Sequence, residues 1–349
     1  MLTATGQTND MLKSNPIQPI TFLIVLLVVC GARLSGQGVD CDPTKVMTAE
    51  SCATCHANEV NVWKQTPHFT TFEQLSRRPR AKEICKKLGL RSVKRSDKCI
   101  KCHFTAKETN GRNKAVSGIS CESCHGASRD WLTLHNDYGG PTATKASETS
   151  AHRDQRLSDC SDLGMRNTRN LYSIASSCLN CHLVPDEELV NVGGHLATTS
   201  DFELVSWSQG MVRHNFLRGD NQKNVESTPE KLRVMFVVGI IADLEYSTRA
   251  TAIATSQSKY GLTVAERAAK KAIQLHELQK ELNNPDIQQM LLAFAQAQLK
   301  INNEQQLNQI ADQIGQIGRK FARDNDGSLL AAVDRHLPDK SSYKWKSDR

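Results

Sequence analysis

Three patterns of hydrophobic and polar positions follow one another along this 349-residue chain. The first is an almost continuous apolar run, ITFLIVLLVVCGA at 20–32, preceded by Lys13 and followed by Ser35-Gly36-Gln37-Gly38. A bilayer span needs about 18 or more apolar residues, and this run is shorter. Its flanks match a secretory signal with cleavage after Ala32 or Gly38, and an uncleaved anchor is the alternative. Cys30 does not fit a lipoprotein cysteine, because Val29 rather than a small residue precedes it. Residues 1–38 are therefore read as a signal peptide. The mature protein is expected to be periplasmic or otherwise exported, with no stable membrane span after cleavage.

The second pattern, over 39–220, is broken into short pieces rich in Gly, Ser, Thr and Asn. The third, over 221–349, has helical periodicity and no cysteine. Ser227-Thr228-Pro229-Glu230 is a helix start leading into KLRVMFVVGIIADLEYSTRATAIA. Thr263-Val264-Ala265-Glu266 has capping-box form and predicts a second helix through Leu282. Pro285 opens a third, DIQQMLLAFAQAQLKI. A fourth, EQQLNQIADQIGQIGRKFA, repeats apolar residues at Leu307, Ile310, Ile314, Ile317 and Phe321, a spacing of three and four that marks one helix face. A short last helix is expected around 328–336. The expected fold is mainly α: a loop-rich domain over 39–220 followed by a C-terminal helical bundle over 221–349.

Composition changes this picture in one respect. Hydrophobic residues are 39 % of the chain and aromatics 5 %, lean for a core built from side chains alone, while there are twelve cysteines. Eight of these form four C-x-x-C pairs, each followed at once by histidine: CATCH at 52–56, CIKCH at 99–103, CESCH at 121–125 and CLNCH at 178–182. Chance at these residue frequencies gives roughly 0.01 matches to such a motif. The spacing has a chemical reason. Two thiols add across the two vinyl groups of one haem, and the next residue turns its imidazole under the iron. Zinc is the main alternative, since the four pairs could build two all-cysteine sites, but zinc does not require histidine after every second cysteine. Disulfide pairing fails on the same point.

Four covalently bound c-type haems are therefore expected, a tetrahaem domain. They are attached at Cys52 and Cys55, Cys99 and Cys102, Cys121 and Cys124, and Cys178 and Cys181, with iron on His56, His103, His125 and His182. Four porphyrins would also supply much of the missing apolar core. The candidate sixth ligands are His68, His135, His214 and His195. If 56–68 were mostly helical, His56 and His68 would lie about 18 Å apart, so His68 would serve a different haem. His152, in the polar run SAHRDQR, is expected in a loop, and His276 and His336 in the bundle are not expected to ligate. Met165 and Met211 remain alternative sixth ligands. Cys41, Cys85 and Cys160 are left over, enough for one disulfide and a free thiol in any pairing.

The motifs together resemble the tetrahaem cytochrome c-554 family: CATCH followed by VWKQTPH, then CIKCH, then GISCESCHG with His135 ten residues beyond, then CLNCH. The resemblance covers about residues 50–215 and leaves the C-terminal bundle outside. It implies that His135 is the sixth ligand to the haem of His56 and that His68 serves the haem of His125. It further implies that His214 serves the haem of His182, leaving the haem of His103 five-coordinate. His195 has no family counterpart. It could fill that fourth position or replace His214.

Charge is uneven. The formal net charge is +7, yet residues 77–101 hold eleven Lys and Arg against Glu83 and Asp97. That run either compensates haem propionates or docks an acidic redox partner protein. Nucleic acid is not an expected partner. The leading functional expectation is an electron carrier passing single electrons between redox partners. The alternative is a haem enzyme acting on nitric oxide, nitrite or hydroxylamine at an open iron on His103, with Lys101 and Phe104 beside it. A scaffold subunit, with the bundle fixing haem spacing, is a third class.

Overall fold

The structure, a computed structural model, describes residues 41–344, so the apolar run at 20–32 and the signal-peptide assignment lie outside the described residues. The fold is mainly α, and its helical C-terminal part follows a region of short helices. In that first region α1 (Ala49–Ala53) leads into CATCH, and α2 (Ala57–Trp63) and α3 (Pro67–Gln74) are separate helices. Pro67 at the first position of α3, with the Thr66 side chain accepting from Phe69 N–H, makes the break. Next come α4 (Pro79–Lys87) and α5 (Asp97–His103), which carries CIKCH.

A hairpin follows, β1 (Thr105–Thr109) against β2 (Arg112–Ser117). Asn110 and Gly111 both have positive φ, +53° and +69°, the two-residue turn that matches strand twist. The hairpin delivers the chain to α6 (Cys121–His125), the third motif. The Thr105 hydroxyl accepts from Ser120 N–H (3.0 Å), and Ser120 and Ser123 cap the helix reciprocally. α7 (Ser150–Asp162) and α8 (Leu171–His182) complete this half, with CLNCH at the C-terminal end of α8. His152 lies on α7 and not in a loop, because Thr149 caps that helix and Glu148 holds the His152 ring 2.8 Å away.

After α9 (Glu187–Asn191) and α10 (Leu204–Ser208) the chain enters α11 (Pro229–Ala252), capped by the Thr228 hydroxyl as the sequence predicts. α11 is enclosed on nearly every side, which is why its apolar residues are not confined to one stripe. α12 (Lys259–Leu282) begins four residues before the predicted Thr263. Tyr260, Val264 and Ala268 are all fully buried on one face, and Asn191 on α9 accepts the Tyr260 N–H at 3.0 Å, so the helix extends back into that contact. α13 (Pro285–Phe294) stops short of the predicted 301, where the chain turns toward Asn302 at φ +55°. α14 (Glu304–Asp324) buries Leu307, Ile310, Ile314 and Phe321 as expected, and Ser328–His336 forms a kinked 3-10 helix.

The largest core joins α8, α10, α11, α12, α13 and α14. The fourth motif's helix is thus clamped into the bundle: Leu171, Tyr172, Ala175 and Leu179 are buried there, and the Tyr172 hydroxyl donates to Glu245 at 2.6 Å. Two smaller cores lie nearer the other motifs. One gathers Ala81, Cys85, Cys99, Ile100 and Phe104; the other joins Val184, Leu189, Val190 and Ala197 to Tyr260 and Val264. Phe104 belongs to the first of these, edge-on to Phe72.

One buried carboxylate ties the first and third motifs together. Glu122, 1 % exposed, accepts from Met47 N–H (2.9 Å), Thr48 N–H (2.8 Å), and the N–H (2.8 Å) and hydroxyl (2.7 Å) of Ser128. Thr48 begins α1 at φ +79°, a strained position for a β-branched residue. The bond to Glu122 helps hold it there. Glu122→Ala leaves these buried donors unpaired and is expected to cost at least about 3 kcal/mol of stability, read as a lowered denaturant midpoint of the holoprotein.

Candidate haem-binding site

In each motif the two cysteines are three positions apart and the histidine follows, so wherever the motif is helical the thiols and the imidazole rise from one face. α5, α6 and the end of α8 satisfy this; in CATCH the chain turns after Ala53, with His56 N–H still donating to Cys52 O at 2.9 Å. Thiols of different motifs also meet. Cys52 lies beside Cys121, and Cys102 beside Cys181. The Ser177 hydroxyl donates to Cys124 O at 3.3 Å, linking the third and fourth motifs.

Every motif histidine faces a second histidine from elsewhere in the chain. Ring centroids are 6.2 Å apart for His56 and His135, 6.4 Å for His68 and His182, 6.0 Å for His103 and His195, and 6.0 Å for His125 and His214. Two imidazole nitrogens each about 2 Å from one metal put their ring centroids roughly 6 Å apart. No three or more metal-ligating side chains converge on a protein-only site among the described residues. What converges is pairs, at the separation an intervening haem iron requires.

Ring orientation fits the same use. Nδ1 donates to the carbonyl of Arg166 from His125 (3.0 Å), of Leu132 from His135 (2.5 Å), of Leu196 from His195 (2.7 Å) and of Val212 from His214 (2.6 Å). Nδ1 of His182 hydrogen-bonds the Thr199 hydroxyl at 2.9 Å. A proton fixed on Nδ1 leaves the Nε2 lone pair for a metal. Burial, reinforced by the facing histidine, holds His103 and His125 down to about 4; burial and His68 do the same for His182. These rings are neutral at neutral pH, the state that metal binding needs.

Three buried polar atoms without a hydrogen-bond partner among the described residues belong to the same places. Glu59 Oε1 lies 3.8 Å from His56 Nδ1, Trp131 carries an unpaired Nε1 on a ring set edge-on to His135, and Arg213 Nε adjoins His214 in sequence. The residues therefore fit haem: apolar-sided histidine pairs, thiols on the motif face, and spare N–H donors suited to propionate oxygens.

Two pairings differ from those the family resemblance implies. His68 faces His182 and not His125, while His214 faces His125 and not His182. The hairpin fixes the backbone at His68. Gly118, at the end of β2, lies so close to His68 that a Cβ there would be 2.0 Å from the His68 carbonyl oxygen. Trp63 Nε1 donates to Ile119 O at 2.7 Å and locks the same junction. The third difference concerns His103, which the resemblance leaves without a sixth partner and which here faces His195. His195 N–H donates to Leu189 O (3.1 Å), and Arg80 donates to Gly194 O (2.7 Å), so α9 and α4 hold that loop.

His135 faces His56, the pairing the resemblance implies. Each motif histidine is matched by a histidine, leaving Met165 and Met211 outside the pairs, and His336 bonds Glu281 within the bundle. Cys41, Cys85 and Cys160 form no disulfide with one another. Cys41 lies near Glu122 and Arg166, Cys85 packs with Cys99, and Cys160 neighbours Arg156. The hairpin went unpredicted although Asn110-Gly111 is its usual sequence mark.

These features are similar to those of a multihaem c-type cytochrome, whose haem iron is covalently bound. Residues 51–126 match the family model described as "Cytochrome c554 and c-prime". A curated relative, cytochrome c-554 of Nitrosomonas europaea, is 24 % identical over 173 residues, covering 45 % of this chain and 68 % of the relative. No solved structure matches the chain. The likeness to the cytochrome c554 family is thus carried by residues 51–126 and by this relative.

Gly118→Ala tests how the His68 pairing is built. The added methyl group must displace the His68 backbone, and it is expected to cost about 1–3 kcal/mol of stability. Low-temperature electron paramagnetic resonance (EPR) of the holoprotein is expected to show one low-spin haem signal altered and the others kept.

Proposed function

We propose that this chain is an exported tetrahaem electron carrier. One haem is attached at each C-x-x-C-H motif, and its iron is held between two histidines: His56 and His135, His182 and His68, His103 and His195, His125 and His214. Haem supplies reversible one-electron chemistry, and two imidazole ligands stabilise both iron oxidation states. The protein's part is to fix both rings of each pair and to keep the motifs adjacent. The contacts of the first motif with the third, the second with the fourth, and the third with the fourth support a continuous array through the molecule. No helix among the described residues is long and apolar enough to cross a membrane.

The single observation that carries this reading is His195 opposite His103 at 6.0 Å. An enzyme acting on a small nitrogen oxide needs an open iron position, and the only family-implied candidate has a histidine in reach. The expected EPR spectrum of the oxidised protein contains four low-spin centres, with no nitrosyl adduct after nitric oxide is added. His195→Ala is expected to convert one centre to high spin and to create a nitric oxide site. A high-spin centre in the unsubstituted protein overturns the carrier reading.

The basic run at 77–101 supports docking of an acidic redox partner near that same centre. Part of the run is used internally: Lys87 pairs with Glu83 (2.8 Å), Lys98 with Asp186 and Glu188 (2.8 and 2.9 Å), and Lys94 sits over the Phe72 ring. Lys82, Lys86, Arg91, Arg95 and Lys101 are exposed and have no carboxylate partner among the described residues. Beside the His195 loop, Val192 and Leu196 are exposed, 55 % and 58 %, giving an apolar centre next to a basic rim. Reduction by an acidic electron-transfer protein such as a plant-type ferredoxin is expected to slow roughly tenfold between about 10 mM and 0.3 M salt. Lys82→Glu with Lys86→Glu should remove most of that dependence; an unchanged salt profile rejects the docking face.

A further inference from the structure

The C-terminal bundle lies beyond the residues of the family match, and it buries a charged pair between α11 and α12. We propose that Arg267 and Asp243 are positioning residues for one haem centre, through which the bundle sets the reduction potential of the haem on His182. The proposal rests on the reading that His182 and His68 ligate one iron.

The connection is continuous. Asp243 on α11 and Arg267 on α12 are 2 % and 8 % exposed. They form a two-pronged ion pair, with Arg267 Nε to Asp243 Oδ1 at 2.7 Å and Nη2 to Oδ2 at 2.6 Å. Lys271 Nζ adds a second cation 3.4 Å from Oδ2. The third prong of Arg267, Nη1, donates to Thr199 O at 3.0 Å. Thr199 in turn grips His182 twice: its N–H donates to His182 O and its hydroxyl bonds His182 Nδ1, both at 2.9 Å. Phe202 stacks on the His182 ring at 4.9 Å and Trp207 meets it edge-on at 5.1 Å.

Burial gives this chain of contacts its consequence. One carboxylate against two cations leaves a net positive charge in a poorly solvated place close to His182, where screening is weak. Positive charge disfavours the ferric over the ferrous state and raises the potential. The Thr199 hydroxyl acts oppositely. With iron on Nε2 the proton is on Nδ1, so the hydroxyl accepts from it, makes the ring a stronger donor and stabilises the ferric state. Asp243 orients the guanidinium so that its third prong reaches Thr199. A buried ion pair replaceable by apolar packing is weak evidence of a stabilising role, whereas this one ends on a ligand.

The test is potentiometric titration of the holoprotein followed by visible absorbance and EPR. Arg267→Gln removes the cation and is expected to lower the potential of one low-spin centre, leaving the other three in place. Arg267→Lys keeps the charge and should restore most of that potential. Thr199→Val removes the acceptor and should raise the potential of the same centre, while Thr199→Ser behaves as the original. Opposite shifts of a single centre cannot come from general loosening, which would move both variants alike. Shifts of the same sign, or shifts spread over all centres, overturn the proposal. Should Arg267→Gln not accumulate, Lys271→Gln removes the second cation at Asp243, is expected to lower the same potential, and takes its place beside the Thr199 pair. His68→Ala separates the two levels: if it leaves every low-spin signal intact, the ligand reading itself fails. If it removes the centre that Arg267→Gln leaves unmoved, only the positioning role fails.

Discussion

Two imidazole rings facing each other across about 6 Å is the spacing on which this structure turns. No single helix can supply both, since neighbours on one helix face lie side by side and not opposed. The partners of each pair are some 80 to 115 residues apart in the chain. Each pair therefore closes a long loop, and four of them cross the same region. A chain held by so many distant contacts loses loop-closure entropy early and is compensated only when both ligands are in place. On the proposed reading, covalent thioethers would remove part of that burden, because each haem would already be fixed to the motif that carries its first ligand.

The polar groups fall into place around that spacing. Glu122, inside the third motif, takes hydrogen bonds from the backbone entering the first. The hairpin turns the chain from the second motif to the third and presses Gly118 on the backbone of His68. α8 places the fourth motif at the end of a helix whose other side belongs to the bundle. In each case a motif's position is set by an element outside it. The bundle is best understood in the same way: it is the largest apolar core, and it anchors α8 on one side and Thr199 on the other.

His195 gives the comparison with the cytochrome c554 family its meaning. A likeness carried by motif spacing extends to attachment chemistry, because thiol and imidazole positions are local. It does not extend to which distant histidine arrives opposite which iron. Here the loop after α9, held by Arg80 and Leu189, brings a histidine to the one position that the family pattern leaves open. A small local difference thereby bears on whether the protein can bind a substrate or only exchange electrons.

Elements with local causes were legible in the chain before any folding. Thr228-Pro229 started α11, the three-and-four spacing from Leu307 to Phe321 named the buried face of α14, and C-x-x-C-H marked the candidate attachment residues. His68, His135, His195 and His214 were legible as candidates because few other histidines lay within reach. Sequence reasoning did not find the start of α12, which depends on Asn191 from another helix. It also missed the buried Asp243–Arg267 pair, whose residues read as ordinary helix polar positions. Which histidine faces which emerged with the folded chain alone. Pairing across about 6 Å is a property of distances between segments. Those distances are set by packing, turns and close backbone approaches that leave no periodic trace in the chain.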